Sequence, residues 1–81
     1  MVNFEFFMQE VKAMPQELRN ELLVIAAIGD SIELAKIAIE AGADVRAKDS
    51  RALKLASLAE NIDIANLLIN EGADTSIIEF F

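Results

Sequence analysis

The stretch "EAGAD", Glu40–Asp44, returns as "NEGAD", Asn70–Asp74, thirty residues further along the chain. Working outward, "LLVIAAIGDSIELAKIAIEAGAD" (residues 22–44) lies over "ALKLASLAENIDIANLLINEGAD" (residues 52–74) with no gap. Leu23 meets Leu53, Ala26 meets Ala56, Ile32 meets Ile62, Ala35 meets Ala65 and Ile39 meets Ile69. Conservative exchanges fill much of the rest: Ile25 with Leu55, Ile28 with Leu58, Glu33 with Asp63, Ile37 with Leu67. Self-similarity at a fixed period marks a repeat architecture.

Each copy reads as two short helices. In the first, Leu22, Ile25, Ala26 and Gly29 fall on one face at three- and four-residue steps. "GDS" then interrupts the pattern. Asp30 is placed to cap the next helix, and Glu33 completes a capping-box spacing. Ile32, Ala35 and Ile39 face one way along that helix, with Leu34, Ala38 and Ala41 widening the stripe. Gly42 ends it, as a glycine in a left-handed C-terminal turn does. The second copy repeats this with Asn61 as cap and Gly72 as stop. One such hairpin cannot bury its apolar face alone, whereas stacked copies can. The expected fold is therefore all-α, a short solenoid of helix–turn–helix units.

Over about residues 20–74 the pattern resembles the ankyrin repeat. "AAIGDSIELAKIAIEAGADVRAKD" aligns without gaps on Ala-Ala-x-x-Gly-His-x-x-(Val/Ile)-(Val/Ala)-x-x-Leu-(Leu/Ile)-x-x-Gly-Ala-Asp-(Val/Ile)-Asn-x-x-Asp. The resemblance implies a helix–turn–helix followed by a protruding hairpin loop, with partners met by the loop and the inner face of the first helices. Carried onto this chain, that places the loop at Val45–Arg51 and the inner face at Ala27, Ile28, Ser57 and Leu58. Ile28 and Leu58 become the apolar anchor of an interface, with Arg46, Lys48 and Arg51 as its basic rim. The chain departs from the family in two places. The Gly-His of the inter-helix turn falls on Asp30-Ser31 and Glu60-Asn61. The Thr-Pro-Leu-His falls on Arg51-Ala52-Leu53-Lys54, keeping only the leucine. Both changes predict weaker hydrogen bonding between repeats. A period shorter than the family's usual value of about 33 predicts a clipped hairpin tip.

At 81 residues the chain suffices for one small domain. The expected divisions are a capping helix at 1–14, repeat one at 15–49, repeat two at 50–76 and an apolar tail at 77–81. Before the repeats, Phe4, Phe7, Met8 and Val11 share a helical face, and Pro15 opens the next helix. The ends of the chain are rich in large apolar residues, so Phe4, Phe7, Ile77, Ile78, Phe80 and Phe81 are candidates for self-association as a homodimer.

Net charge is −7, which disfavours phosphate-backbone binding to nucleic acid and anionic membrane surfaces. The charge is uneven. Arg46, Lys48, Arg51 and Lys54 face Asp49 alone, whereas Leu55 to Phe81 holds five acids and no base. The longest apolar run, Leu22–Ile28, falls far short of the roughly 18 residues of a membrane span. No His, Cys, Tyr or Trp is present, which removes histidine- and cysteine-based nucleophile pairs and the usual zinc sites. "GDSI" echoes an esterase motif whose serine needs a histidine, and there is none. No metal or cofactor site is expected. The expected function is a non-catalytic protein–protein interaction module, such as a small inhibitor or adaptor in the cytoplasm. The alternatives are a self-assembling structural protein and, more remotely, an acidic decoy that occupies a nucleic-acid-binding groove.

Overall fold

A computed structural model describes residues 4–77. It holds five α-helices, with no strand among the described residues. They are α1 (Phe4–Ala13), α2 (Gln16–Gly29), α3 (Ile32–Glu40), α4 (Ala47–Leu58) and α5 (Ile62–Asn70), followed by a 3-10 turn at Thr75–Ile77. The molecule is elongated, 42 × 22 × 17 Å. The break before α2 falls at Pro15, whose φ of −56° and ψ of 150° suit the residue preceding a helix.

The thirty-residue period reappears in the hydrogen bonds. Gln16 Nε2 donates to the Gly42 carbonyl at 2.9 Å, and Arg46 Nη1 donates to the Gly72 carbonyl at 2.8 Å. The Asp44 amide donates to Asn20 Oδ1 at 2.7 Å, and the Asp74 amide to Ser50 Oγ at 2.8 Å. Both Gly-Ala-Asp turns close in the same way. Gly42 and Gly72 have φ of 105° and 104°, and the amides of Ala43 and Ala73 reach back to the carbonyls of Ala38 and Leu68, each at 2.9 Å. This is the Schellman closure, whose turn residue is usually glycine.

The core is built largely from alanine. Leu23 and Leu53 are buried at equivalent positions, surrounded by Ala26, Ala27, Ala35, Ala38, Ala52, Ala56 and Ala65, with Ile64 and Leu68 beneath. Small side chains let α2, α3, α4 and α5 approach closely. Close packing also makes the few large residues costly to remove: trimming a buried Leu to Ala typically costs about 2–5 kcal/mol. A second cluster joins α1 to the rest through Met8, Val11 and Ala41, with Met14, Leu22 and Ile37 against it.

Several expectations are corrected by the structure. Asp30 does not cap α3. Ser31 does, accepting the Leu34 amide at 3.2 Å, while Asp30 takes the left-handed turn position at φ 56°. Asn61 stands where Ser31 does, but its side chain makes no cap bond. It donates instead to the Ala27 carbonyl, 2.7 Å away. The weakened bonding between copies expected from the lost histidine is thus offset by an amide at the same position. Ile25 is not on the buried face. The stretch Val45–Arg51, expected as a hairpin loop with a clipped tip, is instead wound: Lys48, Asp49 and Ser50 turn left-handed, with φ of 53°, 58° and 57°, and right-handed helix follows them. Each left-handed non-glycine residue costs roughly 1–2 kcal/mol. Ser50, fully buried, offsets part of this through its bond to the Asp74 amide.

Candidate interaction face

Helices α2 and α4 pack side by side. Contacts at both ends hold them in register. Lys48 Nζ lies 3.9 Å from a Glu21 carboxylate oxygen at one end, and Asn61 reaches Ala27 at the other. The exposed sides of the two helices therefore form one outer surface.

That surface is apolar where solvent would favour polar side chains. On α2, Leu18, Ile25 and Ile28 are 51%, 55% and 57% exposed. Their spacing of seven and three residues puts them on one helical stripe. On α4, Leu58 is 72% exposed and Leu55 is half-buried beside it. The helix leaves these residues outside because its opposite face, Leu23, Ala26 and Ala27 in α2 and Leu53 and Ala56 in α4, is the one that permits close packing.

The sequence-predicted site residues divide on this surface. Ile28 and Leu58 are both exposed, near the ends of two helices that pack side by side. Ala27 is fully buried and offers no side-chain surface, only its carbonyl to Asn61. Ser57 is half-buried. Arg46 is engaged elsewhere: besides Gly72 it lies 3.9 Å from Asp74. Exposed pairs at such distances contribute little, about 0–1 kcal/mol. Arg51 is exposed on the same α4 face as Leu55 and Leu58, which lie four and seven residues on. Leu18 joins the face without having been singled out by sequence pattern, and Ile25 joins it although its spacing groups it with Leu22 and Ala26. The spacing from Leu18 through Ile25 to Ile28 is a visible signal, but "LLVIAAI" is apolar on every side and so does not say which face is inside.

At the chain ends, Phe4 is exposed and Phe7 lies at the margin of exposure, while Met8 and Val11 take the buried side of α1. Ile77 closes the 3-10 turn. Ile78, Phe80 and Phe81 lie outside the described residues.

The electrostatics are local. The Asp74 carboxyl is held below its ordinary value of 3.8 by the hydroxyl of Ser76, which donates at 2.7 Å, then by the Ser76 amide, with Arg46 adding to both. A narrow cleft of about 30 Å³ separates α2 from the first turn of α4, bordered by Glu17, Val24, Lys48 and Arg51. It is far below the roughly 300–1,000 Å³ of small-molecule sites. Among the described residues, no three His, Cys, Asp or Glu side chains converge as metal ligands, and no helix is long and apolar enough to cross a membrane. No family model, curated protein or solved structure matches the chain.

Proposed function

We propose that this chain is a non-catalytic protein–protein interaction module of ankyrin-like type, docking its partner on the face formed by α2 and α4. The observation that carries the reading is the exposure of Ile25, Ile28 and Leu58 on two adjoining helices. Scattered surface apolar residues need no explanation, but a contiguous group does. Both copies of the repeat leave this face open, so it is not merely the unfinished end of a stack. The ankyrin resemblance independently assigns partner binding to the inner face of the first helices. The role is that of an inhibitor or adaptor, with Ile28 and Leu58 as anchors.

Replacing both with Glu tests it. The expected result is loss of partner capture from an extract of the native host, with the helical circular dichroism signal and the melting temperature retained. Unfolding of the double variant would instead place the two residues in the core and remove the proposed anchor.

A second reading, self-assembly, is favoured by a separate observation. Ile32 and Ile39 of α3 pack against the core, yet their equivalents in α5, Ile62 and Ile69, are 60% and 36% exposed. An apolar surface half-buried in the first copy is more open in the second, above all at Ile62, and a twin chain would cover it.

A further inference from the structure

The cations bordering the α2–α4 face specify its partner. Arg51 and Lys54 lie four residues before Leu55 and Leu58 respectively, so each stands one helical turn from an apolar residue on the same side of α4. Both are exposed, and among the described residues neither forms an ion pair. The remaining charges near the face are arranged differently. Glu21 is occupied by Lys48. Glu17 borders the α2 side, and Asp30 and Glu60 sit in the turns beyond Ile28 and Leu58. The free positive charge thus lies on α4, with Arg51 at the α2–α4 cleft and Lys54 one turn further along the helix, while the acids stand at the α2 side and in the turns.

We propose that this face receives an amphipathic helix whose apolar stripe seats on Ile25, Ile28 and Leu58 and whose carboxylates run along one side to meet Arg51 and Lys54. The inference rests on the interaction-module reading and adds the chemistry of the partner. Apolar anchors of i, i+3/i+4, i+7 spacing are how helices fill such faces, and complementary rim charge sets orientation and selects among partners. The protein's net charge of −7 points the other way, toward a basic partner. Distance decides between them. At physiological salt the screening length is about 8 Å, so charges on the face outweigh those on the far side of the molecule.

The test uses two fluorescent helical peptides with the same leucine stripe, one flanked on one side by Glu and the other by Lys. Affinities are measured by anisotropy at physiological salt. The Glu-flanked peptide is expected to bind about tenfold more tightly than its Lys-flanked twin, the scale of two rim ion pairs. The double variant Arg51→Glu, Lys54→Glu should reverse that preference, and Leu58→Glu should abolish binding of both peptides. Equal affinities, both lost in Leu58→Glu, would overturn the charge assignment while leaving the docking face standing. Tighter binding of the Lys-flanked peptide would show that net charge governs and would sink the proposal. Binding of neither peptide would also overturn it, while host-protein capture abolished by the Ile28, Leu58 double variant would keep the interaction-module reading alive. A dimer that dissociates in Leu58→Glu would assign the face to a second copy instead.

Discussion

Gly42 and Gly72 carry the same φ for different neighbourhoods. A Cβ on Gly72 meets nothing within 4 Å, whereas on Gly42 it would stand 2.8 Å from Arg19 Nη1, the group that donates to the Ala41 carbonyl. Gly72→Ala therefore costs backbone strain alone, about 1 kcal/mol. Gly42→Ala must also displace the guanidinium and its hydrogen bond, for a total of about 2 kcal/mol. Denaturant melts of the two variants check the order, and equal losses would refute the Arg19 contribution. Glu60 presents the reverse case. It sits at φ 61° just past α4, exposed, without the short polar side chain that tolerates this conformation. Glu60→Gly is expected to stabilise by about 0.5–1 kcal/mol, the left-handed penalty less the entropy glycine adds to the unfolded chain. A lower melting temperature would contradict that assignment. Asp74 supplies a pH signature. Its folded pKa is lowered, so its contribution is present above the unfolded value near 4 and is lost as pH falls through the lower folded value. Melts of the native chain and Asp74→Asn should differ at neutral pH and converge in acid. A gap that stays constant down to acid pH would rule the carboxylate out.

At the scale of elements, the turn between α4 and α5 does two jobs that separate chemically. Asn is a favoured N-cap, and Asp caps as well. Asn61, however, uses its amide to donate to the Ala27 carbonyl across the copies. An aspartate at this position could still cap α5 but could donate nothing, and its charge would face a carbonyl oxygen. Asn61→Asp is therefore expected to destabilise at least as much as Asn61→Ala, by about 1–2 kcal/mol. If capping were the role, the aspartate would be neutral in effect. Chemical denaturation of the two variants distinguishes these outcomes.

For the whole molecule, equivalent positions act as an internal control. Ile25 and Ile28 are open in the first copy and Leu58 is open in the second, which marks a lateral face running across both copies. Ile62 is open in the second while its equivalent Ile32 is half-buried in the first, which marks an end. Fully burying one such side chain is worth roughly 1.5–3 kcal/mol, enough for the end face to drive association. If the self-assembly reading holds, sedimentation equilibrium shows a dimer at micromolar concentration. The double variant Ile62→Lys, Ile69→Lys is then monomeric with its helicity intact, and a chain ending at Ser76 shows how much of the association the tail supplies. A native chain that is monomeric at every concentration sinks that reading.

The all-α class, both glycine stops and the two-helix unit were legible in residues 22–74. They depend on local chemistry: a 3.6-residue period, a residue that accepts positive φ, and a second copy to confirm the spacing. Tertiary structure alone decided which apolar residues face inward. In α2, where Leu22–Ile28 is apolar all round, periodicity cannot separate the Ala26–Ala27 side from the Ile25–Ile28 side. The choice falls to packing, because two helices approach most closely where their side chains are smallest, and the larger isoleucines are left to the surface. The same holds for polar groups. Both are favoured N-cap residues at the same position of the turn, yet Ser31 caps its own helix and Asn61 reaches the neighbouring copy. The difference is the carbonyl of Ala27, brought within 2.7 Å only when the two copies pack.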